Sequence, residues 1–89
     1  MVIELSERLT IAEASALRDR FEAEIVPGEG VRIDASKVAE VDTAGLQLLL
    51  SVARTEGAIG WVGVSEALRG AARLIGLDGP LGLAAGSPV

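Results

Sequence analysis

Apolar residues recur along this chain in two rhythms. Val2 to Leu5 is short, apolar and partly β-branched, which predicts a strand. From residue 11 the period lengthens. Ile11, Ala14, Leu17 and Phe21 recur at three- and four-residue spacing, with Ile25 one turn on. Arg18, Asp19, Glu22 and Glu24 take the opposite side, so the segment predicts a helix with one apolar face. Thr10 and Glu13 stand at capping-box spacing in front of it. Pro27-Gly28-Glu29-Gly30 ends it.

The alternation then repeats. Val31 to Ile33 predicts a second strand, closing on Asp34-Ala35-Ser36, and Val38 and Val41 anchor the connection that follows. A second helix begins at Asp42 or Thr43 and runs to about Thr55, where Gly57 punctuates the chain. Ile59 to Val64 predicts a third strand. Ser65 caps a third helix whose buried stripe is Leu68, Ala71, Ala72 and Ile75, and Gly76 suits the position just past its end. Leu81 to Ala84 is expected to add a short edge strand. The order β-α-β-α-β-α implies a single small α/β domain over residues 1–85, with a mostly parallel or mixed sheet. Residues 86–89 read as a tail.

Composition narrows the chemistry. The net charge is −5, with Lys37 the single lysine and the arginines scattered, so no basic patch marks a nucleic-acid partner. Cysteine and histidine are both absent. That removes thiol nucleophiles, imidazole bases, disulfides and most transition-metal sites. No signal-peptide pattern is visible at Met1-Val2-Ile3-Glu4, and the longest apolar runs fall far short of the ~20 residues that span a bilayer. The expectation is a cytoplasmic protein without direct membrane insertion.

Asp42-Thr43-Ala44-Gly45-Leu46 concentrates the information. Two short polar side chains at a helix entry can accept hydrogen bonds from the first free amides. Gly45 in the first turn costs about 1 kcal/mol of helix propensity against Ala. Close approach by a neighbouring element or by a partner would offset that cost. Leu46, Leu49, Leu50 and Ala53 share the inward face, while Leu48 points outward with Ala44 and Ser51. Those outward residues mark a helix buried on both sides, an exposed Leu of no consequence, or a protein-docking face. Thr43 has two readings as well, a structural cap or a phosphoacceptor. A phosphate would bring roughly −1.5 to −2 charges to a helix end that tolerates them.

The stretch Val31-Arg32-Ile33-Asp34-Ala35-Ser36, followed by Val38, Val41 and Asp42-Thr43-Ala44-Gly45-Leu46, resembles the signature of STAS domains. That family includes the bacterial anti-sigma factor antagonists. Its pattern is an apolar strand ending in Asp, a Ser two residues on, then Asp-Ser/Thr-small-Gly-Leu opening a helix. Leu9-Thr10 is similar to the family's first helix entry, and Ser65 to Leu77 to its third helix; the likeness covers roughly residues 2–77.

The resemblance implies a non-catalytic signal-transduction module. In antagonists the Ser or Thr after the motif's Asp is phosphorylated by a serine/threonine kinase of the histidine-kinase fold that is also an anti-sigma factor. The matching residue is Thr43, and the partner-binding set becomes Asp34, Ser36, Asp42, Thr43, Ala44, Gly45 and Leu48. Two other branches are similar. One is the small STAS subunit that docks on the ATPase of phospholipid-transport ABC systems, and the other is a chemotaxis-associated adaptor. The chain is short against the pattern at both ends, before Val2 and after Leu83, and an uncovered sheet edge would invite a partner or a second copy as a homodimer.

Other chemistry finds little support. Asp34 and Asp42 could be paired carboxylates for metal or acid–base work, but Asp34-Ala35-Ser36 also reads as a turn unit. Gly28-Glu29-Gly30 lacks dinucleotide-fingerprint spacing, and no glycine-rich stretch ends in Lys-Ser/Thr. Ser51 and Ser65 have no histidine base. Trp61 reads as a sheet residue. No cofactor or metal is expected.

Overall fold

A computed structural model describes residues 2–26, 28–57 and 59–83. Strand β1 (Val2–Glu4) is followed by β2 (Arg8–Leu9) and helix α1 (Ile11–Glu24). Then come β3 (Val31–Ala35), β4 (Glu40–Val41) and α2 (Thr43–Glu56), and finally β5 (Ile59–Val64) and α3 (Glu66–Leu74). The three longer strands form a parallel sheet in the order β1-β3-β5. Ile3, Ile33 and Trp61 lie in register across it. The predicted α/β class and its three β-α pairs are therefore observed.

The β3 strand shows why the sheet forms. Val31, Ile33 and Ala35 are buried and alternate with exposed Arg32 and half-buried Asp34. A two-residue period places one set of side chains in the core. Asp34 pairs with Gly63 while Ile33 pairs with Trp61, so Val62 is an extra residue that bulges from β5. Its side chain is exposed.

Four sequence expectations need correction. First, β2 and β4 form a second, two-stranded parallel sheet that the apolar pattern does not reveal. Two residues per strand are too few for an alternation to register. The Glu7 carbonyl helps to hold this pair by accepting from the Ala39 and Glu40 amides at 2.7 and 3.0 Å.

Second, the apolar stripe of α1 is a core face only in part, since Leu17 and Ile25 pack partly buried against the core. Of Ile11, Ala14, Leu17, Phe21 and Ile25, only Phe21 is buried, and Ile11 is 73% exposed. Third, Ile75 lies past the end of α3 and is exposed, while Leu68 and Ala72 carry the burial. Gly76 takes the left-handed conformation (φ 77°), as its place past the helix end requires.

Fourth, Leu81 to Leu83 do not form a strand, and Ala84 lies outside the described residues. The Gly82 amide donates to the Gly79 carbonyl, and that of Leu83 to the Asp78 carbonyl. The segment is a turn that seats Leu81 and Leu83 in the core. Trp61 Nε1 donates to the Leu81 carbonyl at 2.8 Å, and Arg69 Nη1 to the Leu83 carbonyl at 2.5 Å. The expected tail at residues 86–89 also lies outside the described residues.

Candidate functional site: the entry of helix α2

The end of β4 delivers Asp42 to the first free amides of α2. Its backbone is extended (φ −123°, ψ 178°), as an N-cap requires. Asp42 Oδ1 accepts from the Gly45 amide at 3.0 Å, and the Asp42 carbonyl from the Leu46 amide at 3.2 Å. The other carboxylate oxygen reaches a different helix. Asp42 Oδ2 accepts from the Ile11 amide at 2.8 Å, and Ile11 is the first residue of α1. One carboxylate thus serves two helix starts. The Gly45 amide, then that of Ile11, hold its pKa below the usual carboxylate value, with partial burial opposing them.

This bears on one of the two readings of Thr43, the structural cap. Asp42 is the cap, so Thr43 is free of that task. Thr43 is the first residue of α2, and its side chain is exposed at the helix's positive end.

Gly45 is explained by a neighbouring element rather than a partner. It is buried, and a Cβ there would collide with the Leu9 carbonyl oxygen and come within 2.7 Å of Leu9 Cγ. The Asp42 amide also donates to the Leu9 carbonyl at 3.2 Å. Gly45 therefore lies beneath the face and lets β2 approach it closely. Leu9 was not singled out from the sequence as a site residue. The glycine inside a helical pattern was the signal that something must press on it.

Beside Thr43 the two helices enclose an open groove of about 810 Å³. Ala44, Leu48 and Val52 of α2 form one wall, and Ile11, Ala14 and Phe21 of α1 form the other. Arg18, Glu22 and Glu56 lie at its margin. The outward residues Ala44 and Leu48 are half-buried, because α1 stands across from them. Ile11 and Ala14 join the site only through this packing.

Asp34 and Ser36 form a separate unit. Asp34 Oδ1 accepts from the Ser36 amide at 3.0 Å and from the Ser36 hydroxyl at 2.7 Å. The Ser36 hydroxyl bond, then its amide, lower the Asp34 pKa, with a smaller contribution from Lys37. These are the bonds of a turn that ends β3. The bonds of Asp34 stay within its turn and those of Asp42 tie helix starts, so the two carboxylates share no partner. Among the described residues no group of three or more His, Cys, Asp or Glu is placed to hold a metal. Among them, too, no helix is long and apolar enough to cross a membrane.

A parallel α/β sheet with a capped, glycine-bearing helix entry beside an open groove defines a small α/β domain. The family model described as "Mlab, STAS domain" matches residues 1–84, and the chain belongs to the STAS domain family. STAS domains are regulatory, anti-sigma antagonist-like modules that are generally non-catalytic. No curated protein and no solved structure gives a significant match.

Proposed function

We propose that this STAS domain is a protein-docking module switched by phosphorylation of Thr43. The carrying observation is that Thr43 is exposed on the first turn of α2 while Asp42 does the capping. A hydroxyl relieved of structural work and presented at a helix N-terminus suits a kinase. The groove that starts at Ala44 supplies the adjoining apolar surface, and a doubly charged group at its mouth would repel a partner seated there. The proposed partner is an anti-sigma factor that is also a serine/threonine kinase of the histidine-kinase fold.

A second reading uses the same face without phosphate. Here the domain docks on the ATPase of a phospholipid-transport ABC system, and Thr43 is a contact residue. Asp42 favours it in one respect: its carboxylate already occupies the Gly45 amide that a phosphate on Thr43 would use. Purification from the native cell, with identification of co-purifying proteins and intact-mass measurement, separates the two. A kinase with added phosphate on Thr43 supports the switch. An ATPase with unmodified Thr43 overturns it. If Thr43→Glu and Thr43→Ala both leave partner binding unchanged, the docking face itself is wrong.

A further inference from the structure

Asp42 makes a second hydrogen bond, to the first amide of another helix. We propose that Asp42 is a clip that carries the state of Thr43 to helix α1 and so sets the shape of the groove. The proposal rests on the reading of Thr43 as a switch.

The physical chain is short. Thr43 directly follows Asp42, so a phosphate on it enters the turn that the carboxylate already holds. The free amides at a helix start are few, and two anions there compete for them and repel each other. Asp42 Oδ1 holds the Gly45 amide of its own helix, whereas Oδ2 reaches Ile11 across the fold. A phosphate that takes the Gly45 amide frees Oδ1, and the repelled carboxylate, no longer held to its own helix, swings away and draws Oδ2 off the Ile11 amide.

The effect on α1 is local. Leu9 stays anchored, because its carbonyl is held by the Asp42 amide and its side chain is buried. Further along, Arg20 Nη1 donates to the Glu4 carbonyl at 2.6 Å and Phe21 is buried. The Thr10 hydroxyl bond to Glu13 travels with the α1 entry, while the long Thr10 amide bond to Glu13 (3.3 Å) and the exposed Arg8–Glu13 ion pair (3.9 Å) are, among the described residues, the only further ties that must yield. The hinge is therefore the backbone of Thr10, and the first turn of α1 is what moves. Ile11 and Ala14 sit on that end and face Ala44 and Leu48 across the groove. The charge at Thr43 thus acts on a partner twice, directly at the mouth and through the opposite wall.

The clip can be removed from the α1 side without touching Asp42. Ile11→Pro deletes the one N–H that Oδ2 accepts from. Proline is well suited to the first helical position, and Thr10 already has the extended backbone (φ −128°, ψ 175°) that must precede it. Ile11→Ala is the control, since it trims the same side chain and keeps the N–H. The experiment records amide and methyl NMR spectra of the isotopically labelled full chain, with and without Thr43→Glu.

In the otherwise unaltered chain, Thr43→Glu is expected to raise solvent exchange of the Ile11 amide severalfold and to shift the Ala14 methyl resonance. The Ala14 response should persist with Ile11→Ala and vanish with Ile11→Pro. A response that persists with Ile11→Pro overturns the clip. So does an Ile11 amide unmoved by Thr43→Glu, a result that needs no variant at residue 11. Loss of partner binding in Thr43→Glu with α1 silent overturns the clip and leaves the switch standing. A response of α1 with partner binding intact upholds the clip and overturns the switch.

Discussion

The carboxylate of Asp42 accepts a hydrogen bond from the backbone N–H of Ile11, 31 residues earlier in the chain, at 2.8 Å. The same carboxylate caps its own helix through Gly45. Two helix starts that each need an acceptor share one, and the groove between α1 and α2 opens directly from this junction.

Gly45→Ala should destabilise the fold although alanine is the better helix former. The new methyl group has no room against the Leu9 carbonyl and Leu9 Cγ. Overpacking of this kind costs typically about 1–3 kcal/mol, against about 1 kcal/mol gained in propensity. Since the near neighbour is backbone, the cost should win. Each net kcal/mol lowers Tm by about 4–8 °C in a domain of this size. Thermal unfolding followed by circular dichroism checks it, and an unchanged or raised Tm would show that β2 can withdraw.

Asp34 and Asp42 both have pKa values below the usual carboxylate value in the folded chain. Lowered values mean that the unfolded chain takes up these protons first as the pH falls. Their contribution to stability is therefore fully present well above the ordinary value of 3.8. It is lost as the pH drops from there through the lowered values. Denaturant unfolding of the parent and of Asp34→Asn/Asp42→Asn should show a gap at neutral pH that closes in this acid range. A gap that widens on acidification would contradict the assignment.

Ile11→Ser should leave stability almost unchanged, within about 0.5 kcal/mol, because its side chain is 73% exposed. A partner seated in the groove should nonetheless bind about tenfold more weakly, a loss of about 1.4 kcal/mol. Titration calorimetry with the co-purified partner reads this directly. Unaltered affinity would confine docking to the α2 side.

Trp61→Phe keeps the aromatic ring in β5 but removes the donor to the Leu81 carbonyl. The cost should be about 1–3 kcal/mol, since Leu81 is buried and its carbonyl loses a partner. Amide exchange should rise first at Leu81 and Leu83, whose amides close the terminal turn. Exchange that rises equally across the sheet would instead mean a global loss.

Much of the site was legible in the sequence because its signals are local. A capped helix entry at Asp42 or Thr43, Ser65 as a cap and Gly76 at a helix end each depend on a few neighbouring residues. The inward face of α2 (Leu46, Leu49, Leu50 and Ala53) follows from its period alone and is buried throughout. The α1 stripe is different. Periodicity reports that a helix has an apolar side, not what that side meets. Ile11 and Ala14 line an open groove, while Phe21, Leu17 and Ile25 pack on the core. The apolar side chains Leu81 and Leu83 are buried, yet Gly79, Pro80 and Gly82 bend them into a turn.

The sequence by itself determined the alternation of strands and helices, the capped entry of α2 and the family signature around Thr43. Tertiary structure alone decided three things: that Leu9 fills the space Gly45 leaves, that Ile11 is held by Asp42, and that Ala44, next to Thr43, lines a groove. The reason is physical. Caps and periods arise within a turn or two of backbone, whereas a contact across 31 residues exists only after the strands have paired and brought both ends together.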